Sequence, residues 1–169
     1  MVKRIKATLL FFLLSVTVLC ACSNTRVPGS APEGAILVYY PDREKGKLVP
    51  AVHVLEAEAA DMQVLLEETV TALRTPENGR DLIAAIPEEV ALTGYHLEGT
   101  LLTLDFDVRY LDMDPATEVL SRAAMVLTFT EIEGVDEVLF LVSGTSLMKD
   151  EVTPVGVMRA DSFLLTDLP

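Results

Sequence analysis

The sequence predicts an α+β fold, a small sheet of about five to six strands with two helices packed on one of its faces. Three observations carry this. Leu102, Leu104, Phe106 and Val108 alternate with Thr103, Asp105 and Asp107, the period-two pattern of a half-buried strand. Met62, Leu65, Leu66, Thr69, Val70 and Leu73 instead recur at helical spacing, with Glu67, Glu68, Thr71 and Arg74 on the opposite face. Segments of the two kinds interleave in the order β-β-α-β-β-α-β, with a further edge strand expected at residues 163–166.

Taken in order, residues 35–40 (AILVYY) form a β-rich run stopped by Pro41 and Asp42, and a charged turn around Gly46 follows. Residues 48–55 (LVPAVHVL) read as a second strand, in which Pro50 suits an edge or a bulge because it cannot donate to a ladder. The helix over 61–74 is broken by TPENGR. Ile86 and Pro87 lead into a hairpin whose arms, 91–97 and 100–108, flank a turn at Glu98-Gly99. Asp114 as N-cap and Pro115 at the first helical position open the second helix. Its expected buried stripe is Ala116, Val119, Leu120, Ala123 and Leu127, and Gly134 is placed to end it. Residues 138–142 (VLFLV) are continuously apolar, as in a strand buried on both faces.

The N-terminus has a different design. Lys3, Arg4 and Lys6 precede the apolar run 7–18, the layout of a secretory signal peptide. The run is too short to cross a bilayer, which takes about 20 apolar residues. It ends in Leu19-Cys20-Ala21-Cys22, which resembles a lipobox. That resemblance implies cleavage between Ala21 and Cys22 and attachment of a diacylglyceryl group to the Cys22 thiol. Acyl chains of the palmitate kind would then hold the chain at the extracytoplasmic face of the cell membrane, two such chains sufficing for stable attachment. Residues 22–34, rich in Gly, Pro and Ser after the cysteine, read as a tether. At about 3.3–3.6 Å per residue it reaches roughly 40 Å. Residues 35–169 are then a single domain.

Charge narrows the partners. The chain has 13 basic and 26 acidic residues, and residues 1–21 hold three of the basic and none of the acidic ones. The remainder therefore carries 26 acidic against 10 basic side chains, a net −16. That excludes a basic footprint for nucleic acid. An anionic membrane surface would also repel the domain, leaving the lipid as its means of attachment. With Cys20 removed and Cys22 acylated, no disulfide remains and stability must come from a core.

VYYPD near the start, the hairpin segment AAIPEEVALTGYHLEGTLLTLDFD and the segment RAAMVLTFTEIEGVDEVLFLVSG together resemble the GerMN domain family over residues 35–144. The family takes its name from spore-germination and sporulation lipoproteins of Gram-positive spore formers. The resemblance implies a compact α+β domain similar to the ring-building modules of secretion-type assemblies, and a scaffolding role in an envelope complex, without catalysis. The protein that names the family carries two such domains in tandem, whereas this chain has room for one.

Residues able to do chemistry are sparse. His53 and His96, the only histidines, lie in expected strands with no nucleophile motif beside them. Ser143-Gly144-Thr145-Ser146 follows a strand without opening a helix, unlike a nucleophile elbow. Asp105, Asp107, Asp112 and Asp114 are the metal candidates, but their spacing is not that of a calcium loop. No cofactor motif is present. The expectation is a non-enzymatic lipoprotein that meets envelope or sporulation-complex proteins. Its working surface would be the exposed sheet, with Thr103, Asp105 and Asp107 on one strand, and the acidic helix face of Glu67 and Glu68, meeting a basic partner in a salt-sensitive way. Alternatively, this acidic surface only solubilises the domain. The alternative is a small ligand-binding lipoprotein of a transporter or receptor system, marked by a deep apolar pocket with convergent polar groups.

Overall fold

The computed structural model describes residues 31–42, 44–56, 61–76 and 82–163. The expected leader, Cys22, most of the tether and residues 164–166 of the expected last strand lie outside them. Among the described residues, seven strands and two α-helices follow one another, in the expected order as far as β5: β1 (Ala35–Asp42), β2 (Lys47–Val54), α1 (Met62–Arg74), β3 (Leu92–Glu98), β4 (Leu101–Phe106), α2 (Pro115–Phe129), β5 (Glu137–Val142), and then the short β6 (Thr145–Ser146) and β7 (Val157–Met158). The α+β class is as the sequence predicts. The strands, however, divide between two sheets: an antiparallel β1-β2 pair, and a five-stranded sheet in the order β3-β4-β5-β6 with β7 also paired to β5.

β1 and β2 pair from Ala35↔Val54 to Asp42↔Lys47, and Gly34 extends the ladder by accepting from the Leu55 N–H at 2.9 Å. The end of the expected tether is thus already built into the fold. Ile36, Val38 and Tyr40 point into the core, while Leu37, Pro41 and Asp42 are buried too, so β1 is covered on both faces. Asp42 earns its burial by closing the turn: Oδ1 accepts from the Lys45 N–H at 3.0 Å and Oδ2 from Lys45 Nζ at 2.8 Å. The Lys45 ammonium holds the Asp42 pKa below the ordinary aspartate value, against the opposing effect of burial. A depressed carboxylate pKa stabilises the fold above the unfolded-state value, near 4, and that contribution is lost as pH falls through the folded value. Asp42→Asn should therefore flatten the loss of stability below about pH 4, read as urea midpoints at pH 7 and pH 3. An unchanged midpoint difference between wild type and variant would remove Asp42 from the acid response.

α1 starts where Asp61 Oδ1 accepts from the Gln63 and Val64 N–H groups at 3.1 and 3.3 Å. Leu65, Leu66, Thr69, Ala72 and Leu73 form its buried face, close to the expected stripe. The Tyr40 hydroxyl donates to Ala72 O at 2.8 Å and ties its C-terminal turn to β1. The hairpin turn is one residue later than expected. Glu98 pairs with Leu101, so Gly99 and Thr100 are the two turn residues. Gly99, at φ 62°, supplies the positive φ that a type II′ turn requires at its first central position.

β4 ends at Phe106, before Val108. Asp107 and Ala91 exchange hydrogen bonds across the open end of the hairpin, Asp107 N–H to Ala91 O at 2.9 Å and Ala91 N–H to Asp107 Oδ1 at 3.1 Å. A 3₁₀ turn over Val108–Asp112 then leaves Val108 exposed and turns Tyr110 inward. β5 runs parallel to β4, and Val138, Phe140 and Val142 share the core face with Leu102, Leu104 and Phe106. Leu139 and Leu141 on its other face are only half-buried, so the expected two-sided burial belongs to β1 rather than β5.

α2 departs most from expectation. Asp114 caps it through Thr117 N–H at 3.0 Å, with Pro115 in the first turn. Yet Ala116 and Val119 are exposed, Leu120 and Leu127 are half-buried, and only Ala123 of the expected stripe is fully buried. The buried residues include three hydroxyls, Thr117, Ser121 and Thr128, together with Ala124, Met125 and Phe129. For Thr128 the reason is the neighbour. Thr128 Oγ1 accepts from the Tyr39 N–H of β1 at 2.9 Å, and the Glu131 carboxylate accepts from the Leu37 N–H. The end of α2 thus satisfies the free edge of β1. The helix itself stops at Phe129, and Gly134, at φ 94°, turns the chain towards β5.

Candidate functional site

The four candidate aspartates are put to separate structural uses. Asp105 Oδ1 accepts from the Gly144 N–H at 3.0 Å, holding the β5-β6 turn. That turn, Ser143-Gly144, has φ 51° and 75° at its two central residues, the type I′ hairpin geometry. The serine considered as a nucleophile is therefore a hairpin residue. Asp107 is half-buried, which raises its pKa, but hydrogen bonds from Arg109 and the Ala91 N–H outweigh burial and lower it overall. Asp112 and Asp114 border one shallow recess, and Asp114 caps α2. Among the described residues no three His, Cys, Asp or Glu side chains converge so as to hold a metal ion.

Glu67 and Glu68, expected to form one acidic helix face, reach different sheets. A helix advances 100° per residue, so neighbouring side chains leave α1 in different directions. Glu68 Oε1 reaches back to the first sheet, accepting from the Glu56 N–H at 2.9 Å and meeting His53 Nε2 at 3.0 Å. Glu67 Oε1 reaches the second sheet, accepting from the Tyr95 hydroxyl at 3.0 Å and from Gln63 Nε2 at 3.1 Å. α1 is thereby clipped to both sheets. Burial and the neighbouring Glu67 carboxylate together hold Tyr95 above the ordinary tyrosine pKa, so the phenol remains a donor. His96 lies exposed on β3.

Between α1 and β3 runs an open groove of about 940 Å³. Met62, Leu66 and Val70 form its apolar helix wall, and Leu92, Tyr95 and Leu97 its strand wall. Arg74 lies in it but is spent on backbone, donating to Pro87 O at 3.2 Å and Val90 O at 3.0 Å. Sequence reasoning found the walls but not the groove, since no local signal says which strand a helix will lie beside. A buried network also escaped notice. Glu118 accepts from the Tyr110 hydroxyl at 3.0 Å and from Arg122 Nε and Nη2 at 2.7 and 3.0 Å. The signal for half of it was present, an oppositely charged pair at i, i+4 on a helix. No described helix is long and apolar enough to cross a membrane.

Comparison with known proteins agrees with this geometry. The first GerMN domain of the sporulation protein GerM from Bacillus subtilis superposes with a TM-score of 0.53 at 19% identity, over 72% of this chain and 93% of that one. The tandem GerMN domains of the same protein give a TM-score of 0.54 at 22% identity, over 74% of this chain and 44% of that one. This chain thus spans less than half of the tandem structure. A search of curated protein sequences gave no match. A family model described as "Germane: Sporulation and spore germination" matches residues 37–148, from β1 to just past β6. The chain belongs to the Germane family of sporulation and spore germination, with a GerMN-like fold.

Proposed function

We propose that this protein is a lipid-anchored, non-enzymatic envelope lipoprotein whose single GerMN-like domain binds or scaffolds other proteins during sporulation or spore germination. The observation that carries the reading is the family match over residues 37–148, set behind an N-terminal segment that ends in a lipobox-like Cys22. The acidic balance of the chain supports a protein partner over nucleic acid and leaves attachment to the lipid. The groove is open and its polar groups hydrogen-bond one another, which suits a partner's surface better than an engulfed small molecule.

The test is chemical crosslinking in intact sporulating cells, followed by recovery of the protein from the membrane fraction. Wild type is expected in that fraction, in crosslinked complexes with envelope proteins that weaken as salt rises. Cys22→Ala is expected to lose membrane attachment. Retention of that variant in the membrane would overturn the lipid anchor, and recovery of wild type without any crosslinked partner would overturn the scaffold.

A further inference from the structure

The strand edges of this domain are managed unequally. β1 is covered by Thr128 and Glu131 at the end of α2. β2 carries Pro50, and β6 and β7 are two residues each. Pro, shortness and cover are the devices by which proteins keep edges from pairing. β3 is seven residues long and, among the described residues, has a strand partner, β4, on one side only. It contains neither Pro nor Lys, and its one irregularity is confined to Leu92/Gly94. In a two-residue hairpin the residues flanking the turn bond to each other, so Glu98 and His96 direct their backbone groups to β4. Tyr95 and Leu97 accordingly present theirs to the outer side, where the groove against α1 begins.

We infer that β3 accepts an added strand: an extended, basic segment of a partner protein, lying along the α1-β3 groove. Main-chain hydrogen bonds to Tyr95 and Leu97 would supply affinity and alternate apolar side chains would enter over Leu66 and Val70. Charge selects the occupant. Glu67 lines the helix wall and Asp61 caps the same helix, while the groove's one arginine donates to Pro87 and Val90, and the chain as a whole is strongly acidic. A second copy of a chain with net charge −13 is disfavoured by the same charge. The inference rests on the protein-binding reading above and names its surface.

The experiment uses the full-length lipoprotein in detergent and a fluorescent nine-residue peptide of alternating Lys and Val, titrated by anisotropy. Its counterparts are a Glu/Val peptide and a Lys/Val peptide N-methylated at every second residue along one edge. Binding of the Lys/Val peptide at least tenfold tighter than either counterpart is expected, as is a tenfold loss in Glu67→Lys. Leu97→Pro, which removes an outward N–H together with a side chain of the groove's strand wall, should lose binding while its circular dichroism stays native, and Leu97→Ala, which keeps the N–H, should retain most of it. Equal binding of the N-methylated peptide, or undiminished binding by the charge-reversed variant, would overturn the proposal. So would a dimer of the chain alone that dissociates in Leu97→Pro. Crosslinked envelope complexes that persist in Leu97→Pro would overturn the groove while leaving the scaffold reading intact.

Discussion

Phe106→Ala should lower the stability of the domain by about 4 kcal/mol, whereas Val108→Ala, two positions later, should change it by less than about 0.5 kcal/mol. By alternation the two residues are equivalent. In the structure Phe106 is 1% exposed and Val108 62% exposed. The Phe106 ring lies 4.9 Å from that of Tyr110 and 6.3 Å from that of Phe140, the centre of an aromatic cluster joining β4, the 3₁₀ turn and β5. Truncating it removes buried apolar surface and leaves a cavity that three elements must collapse to fill. For a domain whose whole stability is about 5–15 kcal/mol, that is a large share. Urea denaturation followed by circular dichroism checks both variants. Comparable losses at the two positions would mean that β4 continues through Val108, contrary to the 3₁₀ turn.

The second large effect is expected at Arg122. Its guanidinium is bidentate on Glu118, the Glu118 carboxylate also receives the Tyr110 hydroxyl, and the Arg122 and Glu118 side chains are only 13% and 19% exposed. Removing one member of such a pair strands the other's charge. Arg122→Met should cost about 2–3 kcal/mol, near the lower end for buried pairs because some water contact remains. Burial, and then the Glu118 carboxylate, push the Tyr110 pKa well above that of a free tyrosine, so Tyr110 stays a neutral donor in need of an acceptor. Glu118→Leu/Arg122→Met therefore still leaves a buried hydroxyl unsatisfied. The triple variant Tyr110→Phe/Glu118→Leu/Arg122→Met removes every polar partner and should return to within about 1 kcal/mol of wild type. Strictly additive losses across the series would show that the three side chains do not act as a unit.

How much of this was legible beforehand depended on how local the cause is. Asp114 caps the helix it was expected to cap, because an N-cap bonds to N–H groups two or three residues away, and Asp61, expected only to begin a helix, caps α1 by the same local bond. The α1 face was readable for the same reason: Leu65, Leu66, Thr69 and Leu73 satisfy helical periodicity and lie in the core. The turn at Gly99 was placed within one residue, its register being decided by pairing across the hairpin. The α2 stripe failed in part because Thr128 answers to Tyr39 of β1, 89 residues earlier. Hydrophobicity counts a threonine as surface; the edge of β1 needs Thr128 inside.

By itself the sequence determined the α+β class, the order of the elements from β1 to β5, the cap of α2 and the acidic character of the chain. Those follow from periodicity, capping chemistry and composition, which act over a few residues or over the chain as a whole. The tertiary structure alone decided that the strands divide into two sheets and that Glu67 and Glu68 clip α1 to different ones. It also decided that β3 is the long strand with an open edge, beside a groove. Backbone groups have the same pairing capacity in every strand, so which edge remains open depends on which distant segments pack beside it.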